Sequence, residues 1–186
     1  DENVQIHGGN GFVHDYPAEG HYRDARVNRI FEGTNEINRL LVPGMLIKRA
    51  LKGGLPLIAA AQKLQADLLT VTAPAAGGSG SGVAEAVTGM KKVSISIIGL
   101  ALQTYGAGIE KEQEVLMLAS DIIMDAFAAE SAMLRAAAQG HTGLHQTAAE
   151  LIVHDAALRV EANAKTALTA ICTGDTLRTM QAALRR

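Results

Sequence analysis

Arg23-Asp-Ala-Arg-Val-Asn-Arg-Ile-Phe-Glu-Gly-Thr-Asn-Glu-Ile-Asn-Arg39 decides how the chain is read, because no other segment combines charge, turn chemistry and an apolar flank so densely. Ile30 and Phe31 lead straight into Glu32, so this carboxylate is expected against an apolar wall. Burial disfavours the charged form and raises a carboxylate pKa, which suits a general base working near neutral pH. Gly33 allows a sharp backbone turn, and Gly33 or Thr34 can cap the helix that follows. Glu36 then falls in the first turn of that helix, where negative charge suits the positive end of the dipole. Two carboxylates four residues apart thus fit different work, Glu32 chemical and Glu36 helix-stabilising. A buried carboxylate more often belongs to a structural ion pair, so the residues alone leave both readings of Glu32 open.

Upstream, residues 1–6 read as the end of a helix stopped by Gly8-Gly9-Asn10-Gly11. These glycines permit positive φ and close approach by a ligand or a neighbouring chain. They do not make a dinucleotide fingerprint, since Phe12, Val13 and His14 follow Gly11 without a third glycine. Tyr16-Pro17 starts a turn, and a short helix is expected from about Glu19 to Arg29. Its Arg23, Asp24, Arg26 and Arg29 read as an ion-pair web rather than a phosphate site, because Asp24 partly neutralises the cations. Downstream, a helix starts near Thr34 and is expected to break or kink at Pro43-Gly44, where the ring removes an amide donor. A second piece runs to about Leu51, and Gly53-Gly54 close it.

The 186 residues suffice for one domain with a sizeable core or two small ones. A formal net charge of −2 gives no argument for nucleic acid or an anionic membrane surface. Hydrophobic residues make up 48% but aromatics only 3%; alanine and leucine carry the apolar content, which favours close-packed helices over a β-sandwich. The single Cys172 excludes an internal disulfide framework and fits a reducing compartment. No secretory leader is legible, and no apolar run is expected to reach the roughly 18 residues that span a bilayer.

Leu57, Ile58, Ala61, Leu64, Gln65 and Leu68 stand at helical spacing. Residues 75–82, Ala-Ala-Gly-Gly-Ser-Gly-Ser-Gly, then read as a flexible linker. They divide a front part, 1–74, from a tail, 83–186, that reads as a helical bundle. Its first helix carries Val93, Ile97, Leu100, Ala101 and Thr104 and ends at Tyr105-Gly106-Ala107-Gly108. A second spans Glu110–Ala138 with Leu116, Ile123, Phe127 and Leu134 inside, and Gly140 ends it. A third spans Gly143–Cys172 with Leu151, Ile152, Leu158, Leu168 and Ile171, and Asp175 caps a last short helix. The pairs His141/His145 and Glu150/His154 have helical metal-ligand spacing but no third ligand, so no metal is assigned. Met117, Met124 and Met133 are taken as core fillers, and Lys91-Lys92 is too short for a membrane patch.

Four motifs then agree in order and spacing: Gln5-Ile-His-Gly-Gly-Asn-Gly-Phe12, Asp15-Tyr-Pro17, Tyr22-Arg-Asp-Ala-Arg26 and Ile30-Phe-Glu-Gly-Thr-Asn-Glu-Ile37. Together, over residues 1 to about 42, they closely resemble the acyl-CoA dehydrogenase signature. The resemblance implies an all-α fold, part of that family's C-terminal helical domain, followed by an extra bundle as in the very-long-chain branch. That branch is associated with membrane contact, which the near-neutral tail does not support by itself. Asp1 opens the chain without Met, inside what the family has as a continuous helical domain, so a C-terminal fragment, inactive alone and without tightly bound FAD, is expected.

By the same resemblance, the parent oxidises acyl-CoA thioesters at their α,β-carbons in fatty-acid metabolism. Glu32 is then the catalytic base. Gln5, Ile6, His7, Gly8 and Gly9 reach the FAD of a partner subunit, Thr34, Asn35 and Glu36 lie beside the flavin, and Phe31 and Gly33 line the acyl pocket. A homodimer, an electron-transfer flavoprotein as acceptor, no nucleic-acid partner, and a cytoplasmic location (mitochondrial matrix in a eukaryote) complete the expectation. The competing reading is a non-catalytic helical assembly module that carries the motifs as inherited structure.

Overall fold

Helix ends in this chain follow its prolines and glycines. The computed structural model describes residues 1–69, 82–140 and 143–184, and no strand occurs among them, in keeping with the all-α expectation. The expected linker at 75–82 lies outside the described residues except for Gly82, and so does His141. The chain forms two compact units, Asp1–Leu41 and Val42–Arg186.

In the first unit, α1 (Glu2–His7) stops at Gly8, whose φ of 59° is open to glycine, and a 3-10 turn, Gly8–Gly11, follows. Gly11 is buried against its own chain, where a Cβ would stand 2.4 Å from the Val4 carbonyl oxygen. Tyr16 is extended and Pro17 is the first residue of α2 (Pro17–Val27), two residues earlier than the expected start, because proline's missing amide costs nothing there. Arg23, Asp24, Arg26 and Arg29 are all exposed. The expected web does not form: no ion pair joins them, whereas His14 reaches Glu19 at 2.6 Å. Along α2 and just beyond it, fully in water, such pairs gain too little to hold these side chains together.

The unit boundary falls inside α3 (Asn35–Leu51), which runs unbroken through Pro43. The break expected at Pro43-Gly44 does not occur. The proline ring is fully buried, and that burial offsets the missing amide bond. Gly53, at φ 75°, ends the helix as expected, with its N–H on Ala50 O at 3.0 Å and that of Gly54 on Arg49 O at 2.9 Å.

The second unit continues through α4 (Leu57–Leu69), α5 (Gly82–Tyr105), α6 (Gln113–Ala138), α7 (Gly143–Ile171) and α8 (Gly174–Ala183). Gly106, at φ 53°, ends α5. The next six residues tighten into a 3-10 turn pinned by buried Ile109, so α6 begins at Gln113 and not at the expected Glu110. Tyr105 Oη donates to Ala170 O at 3.0 Å and ties the ends of α5 and α7 together.

The buried faces of α6 and α7, which pack on each other, depart furthest from expectation. On α6 they include Val115, Ala119, Ile122, Ala126, Ala129 and Ala136, and on α7 Ala149, Val153, Ala156, Val160, Ala164 and Ala167. Steps of three, four and, once, seven make these heptad-like stripes rich in alanine, which lets helices pack closely. Phe127 is 71% exposed, and Leu134, Leu151, Ile152, Leu158 and Met124 are also exposed; Leu116, Leu168 and Ile171 are buried as expected. Alanine takes most of these buried positions, with Ile122 and three valines between, so the larger side chains point outward. Arg159 clamps α7 to α6 from outside, with Nε and Nη2 on Asp125 Oδ1 at 3.0 and 2.8 Å, and Lys91 of α5 pairs with Glu130.

The stretch Gly82–Lys111 is long and apolar enough to cross a membrane by length and composition, contrary to expectation, because serine, glycine and threonine barely interrupt its valines and isoleucines. Its Val87, Met90, Ile97, Ile98 and Ala101 are buried within the second unit.

Candidate functional site

The turn between α2 and α3 carries the densest geometry. After α2 the N–H groups of Ile30 and Phe31 both reach Val27 O, at 2.9 and 3.3 Å, and the N–H of Asn35 returns to Arg29 O at 3.2 Å. That last bond closes a loop with Glu32 at its middle. Glu32 has φ 54° and is the one non-glycine residue with positive φ among the described residues; Gly33 follows at 91°. An L-residue held there is strained, and such strain persists where surrounding bonds over-determine it.

Glu32 is exposed, not set against an apolar wall, because Ile30 and Phe31 also face outward from this unit. Gly33 is exposed beside it. Thr34 sits at the cap position of α3 as expected, its Oγ1 accepting from Ile37 N–H at a long 3.4 Å. Asn35 is half-buried and Glu36 exposed. The Glu36 carboxyl is held below its ordinary value by its own backbone amide, with the Thr34 hydroxyl and the Arg39 and Arg29 charges adding to this. The amides of Asn35 and Ile37 are engaged at the start of α3, on Arg29 O and Thr34 Oγ1.

Gln5, Ile6 and His7 lie exposed on α1, and Gly8 and Gly9 in the turn after it. His7 Nδ1 donates to Asn3 O at 2.8 Å. No atom lies within 4 Å of where a Cβ would stand on Gly8 or Gly9, which leaves their backbone open to a ligand. Gln5 also lines a shallow hollow of about 300 Å³ with Asp1, Glu2, Val4, Phe12 and Tyr22. No hydrogen bond joins this group to Phe31–Glu36. A larger cavity, about 530 Å³ between α4, α5 and α8, contains none of the expected site residues. No group of three or more His, Cys, Asp or Glu placed to hold a metal occurs among the described residues.

Sequence reasoning passed over Asn38. Its Nδ2 donates to Gly33 O at 2.8 Å, spanning the turn from the first turn of α3. The signal available was an asparagine, a poor helix former, just inside a helix beside a glycine turn.

Two family models, both described as acyl-CoA dehydrogenase, C-terminal domain, match residues 1–45 and 89–186. A probable acyl-CoA dehydrogenase of Bacillus subtilis is 47% identical over 196 residues, covering 100% of this chain and 32% of that protein. The mitochondrial short-chain specific acyl-CoA dehydrogenase of Bos taurus is 60% identical over 45 residues, 24% of this chain and 11% of that protein. A crystal structure of acyl-CoA dehydrogenase complexed with FAD from Bacillus anthracis superposes with a TM-score of 0.87 at 45% identity, over 100% of this chain and 33% of that one. The chain thus spans about a third of the length of its full-coverage relatives.

Proposed function

Because the chain belongs to the acyl-CoA dehydrogenase family, we propose that it forms the C-terminal part of an FAD-dependent enzyme that oxidises acyl-CoA thioesters at their α,β-carbons. The observation that carries this reading is the strained, exposed apex at Glu32, followed directly by the start of α3. The Glu32 carboxylate takes the α-proton, and its backbone N–H donates to the thioester carbonyl as negative charge develops there. Phe31 and Gly33 border the acyl group. FAD, when bound, accepts the β-hydrogen as hydride.

The residues present fit one edge of a flavin. Gly8 and Gly9 offer bare backbone, and Thr34 and Asn35 offer uncharged hydrogen-bonding groups; the already bonded amides of Asn35 and Ile37 and the negative Glu36 suit the uncharged part of the cofactor better than its phosphates. Gln5, Ile6 and His7 complete that edge for the flavin of a second subunit, so the parent is a homodimer. Exposed Ile6, Phe12, Ile30, Phe31 and Ile37 support a unit that is covered by further protein and cofactor. With one edge of the site, the chain alone is inactive and holds FAD weakly.

The proposal extends to residues 1–74 as the end of the family's helical domain, 75–82 as a linker and 83–186 as an added bundle of the very-long-chain type. An electron-transfer flavoprotein is the proposed acceptor, and the cytoplasm or mitochondrial matrix the proposed location. The test is Glu32→Gln in the full-length protein. The variant keeps its flavin, but acyl-CoA reduces it about 10²–10⁴-fold more slowly. Reduction at near the parent rate overturns the assignment.

A further inference from the structure

We propose that Asn38 is a positioning residue that holds the Glu32 apex in its productive conformation. The inference rests on Glu32 being the base. Two observations converge on this side chain. Asn38 Nδ2 donates to Gly33 O at 2.8 Å, which fixes the peptide plane on the far side of the base. Asn38 Oδ1 stands 3.0 Å from where a Cβ on Gly33 would sit, so the amide also lies across the open face of that glycine.

The backbone at this point needs such a clamp. Glu32 at φ 54° and Gly33 at φ 91° form a consecutive left-handed pair, and an unrestrained glutamate relaxes out of that region. The loop is closed at its base by Asn35 N–H on Arg29 O, 3.2 Å, while Asn38 N–H on Thr34 O, 2.9 Å, anchors Asn38 itself in α3. Neither backbone bond acts on the apex; among the hydrogen bonds of this turn, the Asn38 amide reaches closest to it. Without it, Gly33 is free to rotate, and both the carboxylate and the N–H of Glu32 move with it. A proton acceptor displaced by about an ångström loses much of its rate advantage without losing substrate binding.

Only a donor serves this purpose. Asn38→Asp keeps the shape but sets a carboxylate against the Gly33 carbonyl, Asn38→Ala removes the group, and Asn38→Gln restores an amide one methylene longer. Each is made in the full-length flavoprotein and mixed rapidly with saturating acyl-CoA while flavin absorbance is followed, with Glu32→Gln alongside. The Asp and Ala variants are expected to reduce their flavin on the order of 10- to 100-fold more slowly. Their flavin content and half-saturating acyl-CoA concentration stay close to the parent's, and Gln recovers most of the rate. Parent rates in both Asp and Ala variants, or losses that merely follow lost flavin, overturn the tether while a slow Glu32→Gln leaves the base reading standing. Fast reduction in Glu32→Gln overturns the base reading and the tether with it.

Discussion

Gly99, in the middle of α5, offers a perturbation whose sign separates packing from helix propensity. Replacing a mid-helix glycine by alanine ordinarily stabilises by roughly 0.5–1 kcal/mol, because glycine loses more backbone freedom on folding. At Gly99, however, the new Cβ would stand 2.4 Å from the Cβ of Ala61 on α4. Carbon atoms rest at about 3.5–4.0 Å, so one helix must retreat by about an ångström or more. Ala61 has no flexible end to swing aside. Overpacking of this kind costs about 1–3 kcal/mol, which matches or exceeds the propensity gain, and Gly99→Ala is expected to destabilise by about 0–2.5 kcal/mol net. Gly89 on the same helix is the internal control: nothing lies within 4 Å of its added Cβ, so Gly89→Ala should stabilise by about 0.5–1 kcal/mol. Urea unfolding followed by circular dichroism compares the two, and Ala61→Gly combined with Gly99→Ala should recover most of the loss. Equal stabilisation by Gly89→Ala and Gly99→Ala would refute the α4–α5 contact.

Ser120 is fully buried on α6 and its Oγ has no hydrogen-bond partner; Ser120→Ala removes that orphan without opening a cavity and should raise stability by about 1 kcal/mol, so a lowered thermal midpoint would contradict it. The depressed Glu36 carboxyl contributes stability that is present above its ordinary, unfolded-state value and lost as acid protonates the folded form. Denaturant midpoints compared between about pH 6 and pH 3 should therefore fall less for Glu36→Gln than for the parent chain, and parallel falls would remove Glu36 from the account.

The helix ends were legible because the residues that make them are special. Gly53, Gly106 and Gly140 occupy left-handed positions where the chain was expected to turn, whereas the start of α2, at Pro17 rather than near Glu19, shifts by two residues. The buried faces were harder, because size misleads. Phe127, Leu134, Leu151 and Leu158 look like core and face outward, while Ala126, Ala129, Ala156 and Ala164 look neutral and are buried. The heptad-like spacing of these alanine-rich faces was present in the sequence, but a search weighted toward bulky side chains passes over it. Pro43 misled for the opposite reason: the cost of its missing amide is local and visible in sequence, whereas the buried pocket that accepts its ring is tertiary.

At the candidate site the motif located Glu32, Gly33 and Thr34, and glycine after the glutamate announced a turn. Two features there required coordinates. Nothing in the composition of Ile30-Phe31-Glu32 says that the left-handed residue is the glutamate as well as the glycine, yet φ is 54° at one and 91° at the other. Nor does periodicity reveal Asn38, whose bond to Gly33 O crosses five residues, a spacing that belongs neither to a helix turn nor to a strand. The two features are physically linked. A glutamate in a disfavoured conformation needs a restraint beyond its own turn, and a side chain reaching back from the next helix supplies one that backbone hydrogen bonds at the loop base cannot. The apolar wall belongs to the same logic. Ile30 and Phe31 are present in the sequence but exposed in this unit, so on the proposed function Glu32 is desolvated only when acyl group, flavin and the rest of the enzyme close over it. The turn can then be rigid before substrate arrives and dry only afterwards, with water leaving the reacting group only as the acyl chain takes its place.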